Sequence, residues 1–105
     1  MLASGGKQRA EATPDVPSVA EATGAKDFDA DIWYGMYAPA GTPAAVISQL
    51  NAEVNALLGS PELKSVFAGQ GLSTLIGSPQ DLANLTRNDL ARWGKVVQTA
   101  GIKAD

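Results

Sequence analysis

One stretch, residues 31–58, constrains the fold more than any other part of the chain. It reads DIWYGMYAPAGTPAAVISQLNAEVNALL. An aromatic segment with an alternating pattern runs into a Pro-Gly turn, and an amphipathic helix follows that turn. Most of the apolar side chains lie in this stretch or have to pack against it. We therefore expect one strand and one helix to organise a single small domain of 105 residues.

The aromatic segment predicts a strand over residues 27–38. Alternation divides it into two faces. One face carries Phe28, Ile32, Tyr34 and Met36, and the other carries Trp33, Gly35 and Tyr37 with Asp27, Asp29 and Asp31. The second half is apolar on both faces, which indicates a strand covered on both sides.

The helix after the turn is expected over residues 43–58, with Thr42 as its N-cap and Pro43 at its first position. Its apolar stripe has helical spacing and consists of Val46, Ile47, Leu50, Val54, Leu57 and Leu58. The polar residues are expected on or near the wet side: Ser48, Gln49, Asn51, Glu53 and Asn55.

Serine-proline pairs predict two further helix starts. Ser60-Pro61 begins a helix over residues 61–68, and Ser78-Pro79 begins a long helix to about Ala100, with Asp81 completing a capping box. A short helix is expected over residues 18–22, a second strand over 72–76 and a strand end at 2–4. The predicted order is strand end, helix, strand, helix, helix, strand, helix, so the fold class is α+β, with helices packed on a small sheet.

Composition excludes several classes of function. The net charge is −3, which argues against nucleic-acid binding, and no apolar run approaches the length of a membrane span. The chain has neither histidine nor cysteine, which removes disulfides, thiolate chemistry and the commonest general base and metal ligand. Residues 1–10 do not have the pattern of a signal peptide.

The acidic triplet Asp27, Asp29 and Asp31 resembles the start of a calcium loop. Such a loop needs glycine in sixth place and glutamate in twelfth, where this chain has Ile32 and Ala38. We therefore predict no metal site and interpret the triplet as a solvated strand face.

Other candidates for chemistry have simpler structural explanations. Glu21, Glu53 and Asp89 are candidates for partly buried acids, but their spacing predicts no catalytic pair. Ser60 and Lys64 have helical spacing, yet Ser60 is better explained as an N-cap. The aromatic residues could line a ligand pocket, although their periodicity favours a core: Trp33, Tyr34, Tyr37 and Trp93. We predict no enzyme, no catalytic residue and no cofactor.

Four blocks of sequence resemble one protein family. They are PDVPSVAEA at residues 14–22, WYG followed by APAGTP at residues 33–43, LN and EV at residues 50–54, and RWGKVV followed by AGIK at residues 92–103. The blocks, in this order, are similar to the Bug-type receptors, the extracytoplasmic substrate-binding proteins of tripartite tricarboxylate transporters. Each block is a structural joint rather than a catalytic constellation.

The resemblance implies the C-terminal portion of a two-lobed receptor for small organic carboxylates. It implies part of a type II periplasmic-binding-protein lobe, with residues 1–24 as a remnant of the second lobe and residues 25–105 as the end of the first. It also implies a periplasmic location and membrane transporter subunits as partners. The loops that hold ligand in the family would lie mainly outside this chain, so no binding residue is carried over.

Two consequences follow for the chain by itself. We expect it not to bind carboxylates alone, and we expect apolar faces that lack their cover to favour a homo-oligomer. The alternative is a stand-alone protein–protein interaction or structural module without a small-molecule ligand.

Overall fold

The computed structural model describes residues 1–103, and half of the chain is helical. The helices are α1 (Val19–Thr23), α2 (Ala44–Leu58), α3 (Pro61–Gly69) and α4 (Pro79–Ala100). Within residues 1–103 there is no sheet, and the β-type pairing is one isolated parallel bridge between Ser4 and Ser18. No helix in this range is both long and apolar enough to cross a lipid bilayer.

The α+β prediction is therefore wrong for this chain. The segments 27–38 and 72–76 form no strand, and the strand expected at 2–4 is reduced to the bridge at Ser4. Alternation reports which sides of a segment are apolar, but a strand also needs a neighbouring backbone to pair with. In the described chain, no backbone–backbone hydrogen bond involves Ile32, Tyr34 or Met36.

The serine signals for helix starts are confirmed. Ser60 accepts a hydrogen bond from the Leu63 amide at the start of α3. Ser78 and Asp81 form the expected capping box at the start of α4. Ser18 is itself the N-cap of α1, which is therefore displaced by one residue from the predicted range 18–22.

The predicted cap of α2 is wrong. The N-cap position is occupied by Pro43, and no side chain caps this helix. The Thr42 hydroxyl instead donates to the Pro39 carbonyl oxygen at 2.7 Å. Thr42 thus closes the turn that precedes the helix, a local hydrogen bond that competes with capping.

The chain divides into two compact units. The first comprises Met1–Met36 and Ser60–Thr74, with α1 and α3. The second comprises Tyr37–Gly59 and the described chain from Leu75 onward, with α2 and α4 in contact with each other. The division expected from the family resemblance, at residue 24, stays a prediction.

In the second unit, Asn51 and Asn55, which the sequence places on or near the wet side of α2, are half-buried. Their side-chain amides both donate to the carbonyl oxygen of Gly77, at 2.9 and 2.8 Å. The residues lie one helical turn apart on α2, so both reach the same point. Together they fasten the segment that leads into α4 to the side of α2.

No apolar residue of the described chain is buried, and Ser18 is its one fully buried side chain. The predicted aromatic core is therefore absent: Tyr34 is 83% exposed, Tyr37 is also exposed, and Trp93 is 40% exposed. Trp33 is half-buried. Folded domains hide apolar surface because its burial is the main favourable contribution to stability. The apolar faces of this chain lack that cover.

Candidate functional site

A connected polar cluster lies in the first unit, around the start of α1. The Ser4 amide donates to the Pro17 carbonyl oxygen, and the Val19 amide donates to the Ser4 carbonyl oxygen, both at 2.9 Å. Next to this pairing, the Ala30 amide donates to the Gly5 carbonyl oxygen at 2.8 Å. These bonds bring residues from three separate segments together.

Glu21 completes this cluster from inside α1. Its carboxylate accepts from the Ser18 amide at 2.9 Å, and the Ser18 hydroxyl accepts from the Glu21 amide at 3.2 Å. The Arg9 guanidinium lies 3.0 Å from the same carboxylate and also donates to the Pro14 carbonyl oxygen. The Ser18 amide, and then Arg9, lower the pKa of Glu21 because both stabilise its charged form.

The chemistry of this cluster is structural. A lowered pKa keeps Glu21 ionised, whereas a general acid needs a raised pKa. The Ser18 hydroxyl is used by the helix cap, and no histidine exists to activate it. The Ser4 hydroxyl oxygen is buried and has no hydrogen-bond partner among the described residues. Glu21 serves in the cap of α1, and the prediction that it belongs to no catalytic pair stays a prediction.

The other acids singled out in the sequence also have local partners. Asp89 accepts from Arg92 at 3.2 Å, three residues further along α4. Glu53 accepts from Gln49 at 3.2 Å on α2. Asp29 accepts from the Asp31 amide at 3.2 Å, which is a local turn contact. Residues 1–103 contain no group of three acidic side chains arranged to hold a metal ion.

An open depression of about 510 Å³ also lies in the first unit. Its lining comprises Glu11, Pro61, Lys64, Ser65, Ala68, Leu72, Ser73 and Thr74. Lys64 and the hydroxyl groups could attract an anion, but Glu11 lines the same depression with the opposite charge. Lys64 and Ser65 are exposed to solvent, whereas ligand sites are concave and shield polar groups from water. Ser60 lies outside this lining and is the N-cap of α3.

The four aromatic residues named in the sequence analysis do not line this depression. Trp93 lies on α4 with the Arg92 guanidinium 5.1 Å from its ring centroid, an orientation suited to a cation–π interaction. The Tyr37 hydroxyl lies 2.7 Å from the Thr86 hydroxyl, which ties the segment before α2 to α4. Sequence patterns missed this hydrogen bond, and also those to Gly77, because they join residues far apart in the chain.

Comparison with known proteins assigns the chain to a family. The model of the tripartite tricarboxylate transporter family receptor matches residues 1–102. This chain belongs to that receptor family. The resemblance found in the four sequence blocks is thereby confirmed.

Individual relatives are much longer than the matched region. The chain is 38% identical to a UPF0065 protein from the tcbD-tcbE intergenic region of Pseudomonas sp. strain P51, over 80% of this chain and 25% of that protein. It is 34% identical to the protein BugT of Bordetella pertussis, over 86% of this chain and 27% of BugT. This chain therefore spans about a quarter of these relatives.

A solved structure gives the same result in three dimensions. The R. palustris protein Rpa4515, solved with adipate, matches with a TM-score of 0.79 and 36% identity. The match covers 96% of this chain and 33% of that protein. The fold of this chain is therefore similar to one third of a protein that was solved with adipate.

Proposed function

We propose that this chain acts as one portion of a receptor that captures a small organic carboxylate for a tripartite tricarboxylate transporter. The observation that carries the proposal is the structural match to Rpa4515, whose structure contains adipate. The family match over residues 1–102 supports it. In this role the receptor works in the periplasm and passes its ligand to membrane subunits of the transporter.

The residues of the chain suit a scaffold better than a ligand site. Its ordered polar groups, such as Glu21 and Asp81, are used by helix caps. Its open depression has both charges on its wall. A carboxylate needs preorganised donors in a shielded site for tight binding. We therefore expect the chain by itself not to bind carboxylates.

A thermal titration tests the expectation that the chain by itself does not bind carboxylates. Adipate, citrate and aspartate at millimolar concentration should leave the melting temperature of the chain unchanged, because a ligand stabilises only a state that it binds. A shift of several degrees that saturates with ligand concentration would contradict it. Full-length Rpa4515 with adipate is the positive control.

A chimera tests whether the chain can act as one portion of a carboxylate receptor. This chain would replace the matching third of Rpa4515, and adipate binding would be measured by isothermal titration calorimetry. We expect the chimera to bind adipate, since the fold match covers 96% of this chain. A correctly folded chimera that binds no adipate, citrate or aspartate would count against a role in carboxylate capture.

The second candidate is a protein–protein interaction module, and the exposed apolar side chains favour it. The two candidates differ in what they need. If the chain is an interaction module, it should form a stable complex with a partner protein, and the chimera should fail to bind carboxylates. If the chain is a portion of a receptor, the chimera should bind them.

A further inference from the structure

Residues 32–38 have the composition of a strand but form none within residues 1–103. They read IWYGMYA, without a charged residue and without proline. Aromatic and β-branched side chains of this kind favour strands. In the described chain, however, no backbone–backbone hydrogen bond involves Ile32, Tyr34 or Met36. We call residues 32–38 the 32–38 segment.

The side chains of this segment are accessible to another molecule. Ile32, Tyr34 and Met36 share one face by alternation, and they are 80%, 83% and 68% exposed. On the other face, Tyr37 is exposed although its hydroxyl lies against Thr86, and Trp33 is half-buried. Backbone groups without strand partners, next to exposed apolar side chains, are a template for pairing with another chain.

The segment is complementary to a second copy of itself. When two copies are aligned antiparallel about Gly35, Trp33 of each copy lies opposite Tyr37 of the other, and Tyr34 lies opposite Met36. Aromatic pairs across strands are stabilising, and the methionine sulfur makes favourable contacts with aromatic rings. Two glycines meet at the centre, where no side chain obstructs the approach of the backbones. An identical segment is therefore a well-matched partner.

Charge selects this direction of pairing. A parallel arrangement in register would place Asp31 opposite Asp31 and Asp29 opposite Asp29, and like charges opposite each other are destabilising. The antiparallel arrangement places Asp31 opposite Pro39 instead. Proline has no amide proton to donate, so the pairing ends there. The paired region is thus limited to the seven residues of the 32–38 segment.

We propose that copies of this chain associate through antiparallel β-pairing of the 32–38 segment. Seven residues are far fewer than the roughly 20–30 that each partner contributes to a stable interface, and two strands alone are marginally stable in water. A strand that is paired on one edge keeps a second edge, to which a further copy adds. The product is a β-assembly that grows with concentration, and its formation does not depend on the receptor role.

A pair of lysine variants tests which segment is responsible. Tyr34→Lys introduces a charge into the 32–38 segment, and Leu75→Lys is the matched control. Leu75 is 73% exposed and lies in residues 72–76, which are also uncharged and form no strand. Because both positions are exposed, neither change should alter the helix content measured by circular dichroism. The soluble fraction after centrifugation and the infrared amide I band are measured over a range of concentrations.

The unchanged chain should gain an antiparallel β signal in the infrared spectrum as its concentration rises. Tyr34→Lys should raise the concentration at which this signal appears by at least about tenfold, since an inserted lysine opposes strand pairing, and Leu75→Lys should change it by less than about twofold. Equal effects of both variants would indicate general apolar association and would overturn the proposal. Assembly of the unchanged chain without a β signal, or no assembly up to millimolar concentration, would also overturn it.

Disulfide cross-linking tests the direction of pairing, because the chain has no cysteine of its own. Tyr34→Cys and Met36→Cys are assembled under reducing conditions, separately and as an equal mixture, and are then oxidised. Opposite residues lie close enough for a disulfide, whereas the diagonal separation between two copies of position 34 is too long. The mixture should therefore form cross-linked dimers at least about tenfold faster than either variant alone. Equal rates in all three samples would contradict antiparallel pairing about Gly35.

Discussion

The hydroxyl groups of Tyr37 and Thr86 lie 2.7 Å apart, although 49 positions separate the two residues in the chain. Thr86 also donates to the Leu82 carbonyl oxygen at 2.7 Å, as threonine commonly does within a helix. The shared hydroxyl therefore accepts from Tyr37 while its own proton stays on α4. This hydrogen bond anchors the segment that leads to α2.

Removing this anchor should loosen the chain around Tyr37. Thr86→Val keeps the shape of the side chain but deletes its hydroxyl. A net contribution of about 1 kcal/mol or less is expected for an exposed neutral hydrogen bond, which corresponds to an increase of up to about fivefold in local opening. Chymotrypsin cleavage after Tyr37 should accelerate accordingly. Thr99→Val, near the end of the same helix, is the control and should leave that rate unchanged; equal effects of both variants would contradict the prediction.

The helix starts could be predicted from the sequence because their causes are local. Ser60 and Ser78 each bond to an amide three residues ahead, and proline at the next position has no amide proton to lose. Thr42 shows the limit of this reasoning, since it has the same Thr-Pro pattern but bonds backwards to Pro39. A sequence pattern does not distinguish a cap from a turn that uses the same hydroxyl.

The predictions of strands and of an aromatic core were wrong because both depend on contacts between distant segments. A strand needs a second backbone segment to pair with, and a core needs side chains from elsewhere to pack against. Trp33 and Tyr34 have the composition of a covered strand, yet neither lies in a strand and Tyr34 is 83% exposed. The alternating pattern indicated that these side chains are suited to burial, but it contained no information about which residues would pack against them. Likewise, the sequence places Asn51 and Asn55 on the polar side of α2 but does not predict that both side-chain amides donate to the Gly77 carbonyl oxygen.

The two amides that share the Gly77 carbonyl oxygen should behave non-additively. Asn51→Ala or Asn55→Ala leaves one donor in place, so each single change should have a small effect. The double variant leaves a partly buried carbonyl without a partner and should cost about 1 kcal/mol more than the two single effects together. Amide hydrogen exchange at Leu82, in the first turn of α4, reports the local opening free energy.

This double-mutant cycle removes the effect of helix propensity, while the direct Asn55–Asn51 hydrogen bond at 3.3 Å remains part of the measured coupling. Alanine favours helix more than asparagine does, but that gain is additive and cancels in the coupling energy. A coupling energy within about 0.3 kcal/mol of zero would mean that the two hydrogen bonds act independently.

Acid should weaken the start of α4 through Asp81. The Ser78 amide donates to its carboxylate at 2.8 Å and lowers the pKa of Asp81 by stabilising the charged form. An acid whose pKa is lowered in the folded state stabilises that state at pH values above the ordinary pKa, which is about 3.9 for aspartate. This stabilisation is lost as the pH falls from the ordinary pKa through the lower pKa of the folded state. Helix content measured by circular dichroism should therefore fall on acidification below about pH 4.

Asp81→Asn tests the origin of this pH dependence. Asparagine keeps an oxygen that can accept from Ser78 but does not titrate, so the acid-induced loss should become smaller. Asp27→Asn is the control, because Asp27 caps no helix. If both variants have the same acid profile as the unchanged chain, the capping box does not cause the loss.

Gly94 in α4 and Gly101 directly after it should respond to alanine in opposite directions. Gly94 lies inside the helix, and an added Cβ would meet no atom within 4 Å. Gly94→Ala should therefore raise helix stability by about 0.5–1 kcal/mol, since glycine is the more flexible residue in the unfolded chain. Gly101 has φ 66°, a left-handed conformation that costs other residues about 1–2 kcal/mol. Gly101→Ala should accordingly lower the thermal midpoint measured by circular dichroism and release Ile102 from Val97. A higher midpoint for Gly101→Ala would contradict the prediction and show that the left-handed turn at Gly101 does not require glycine.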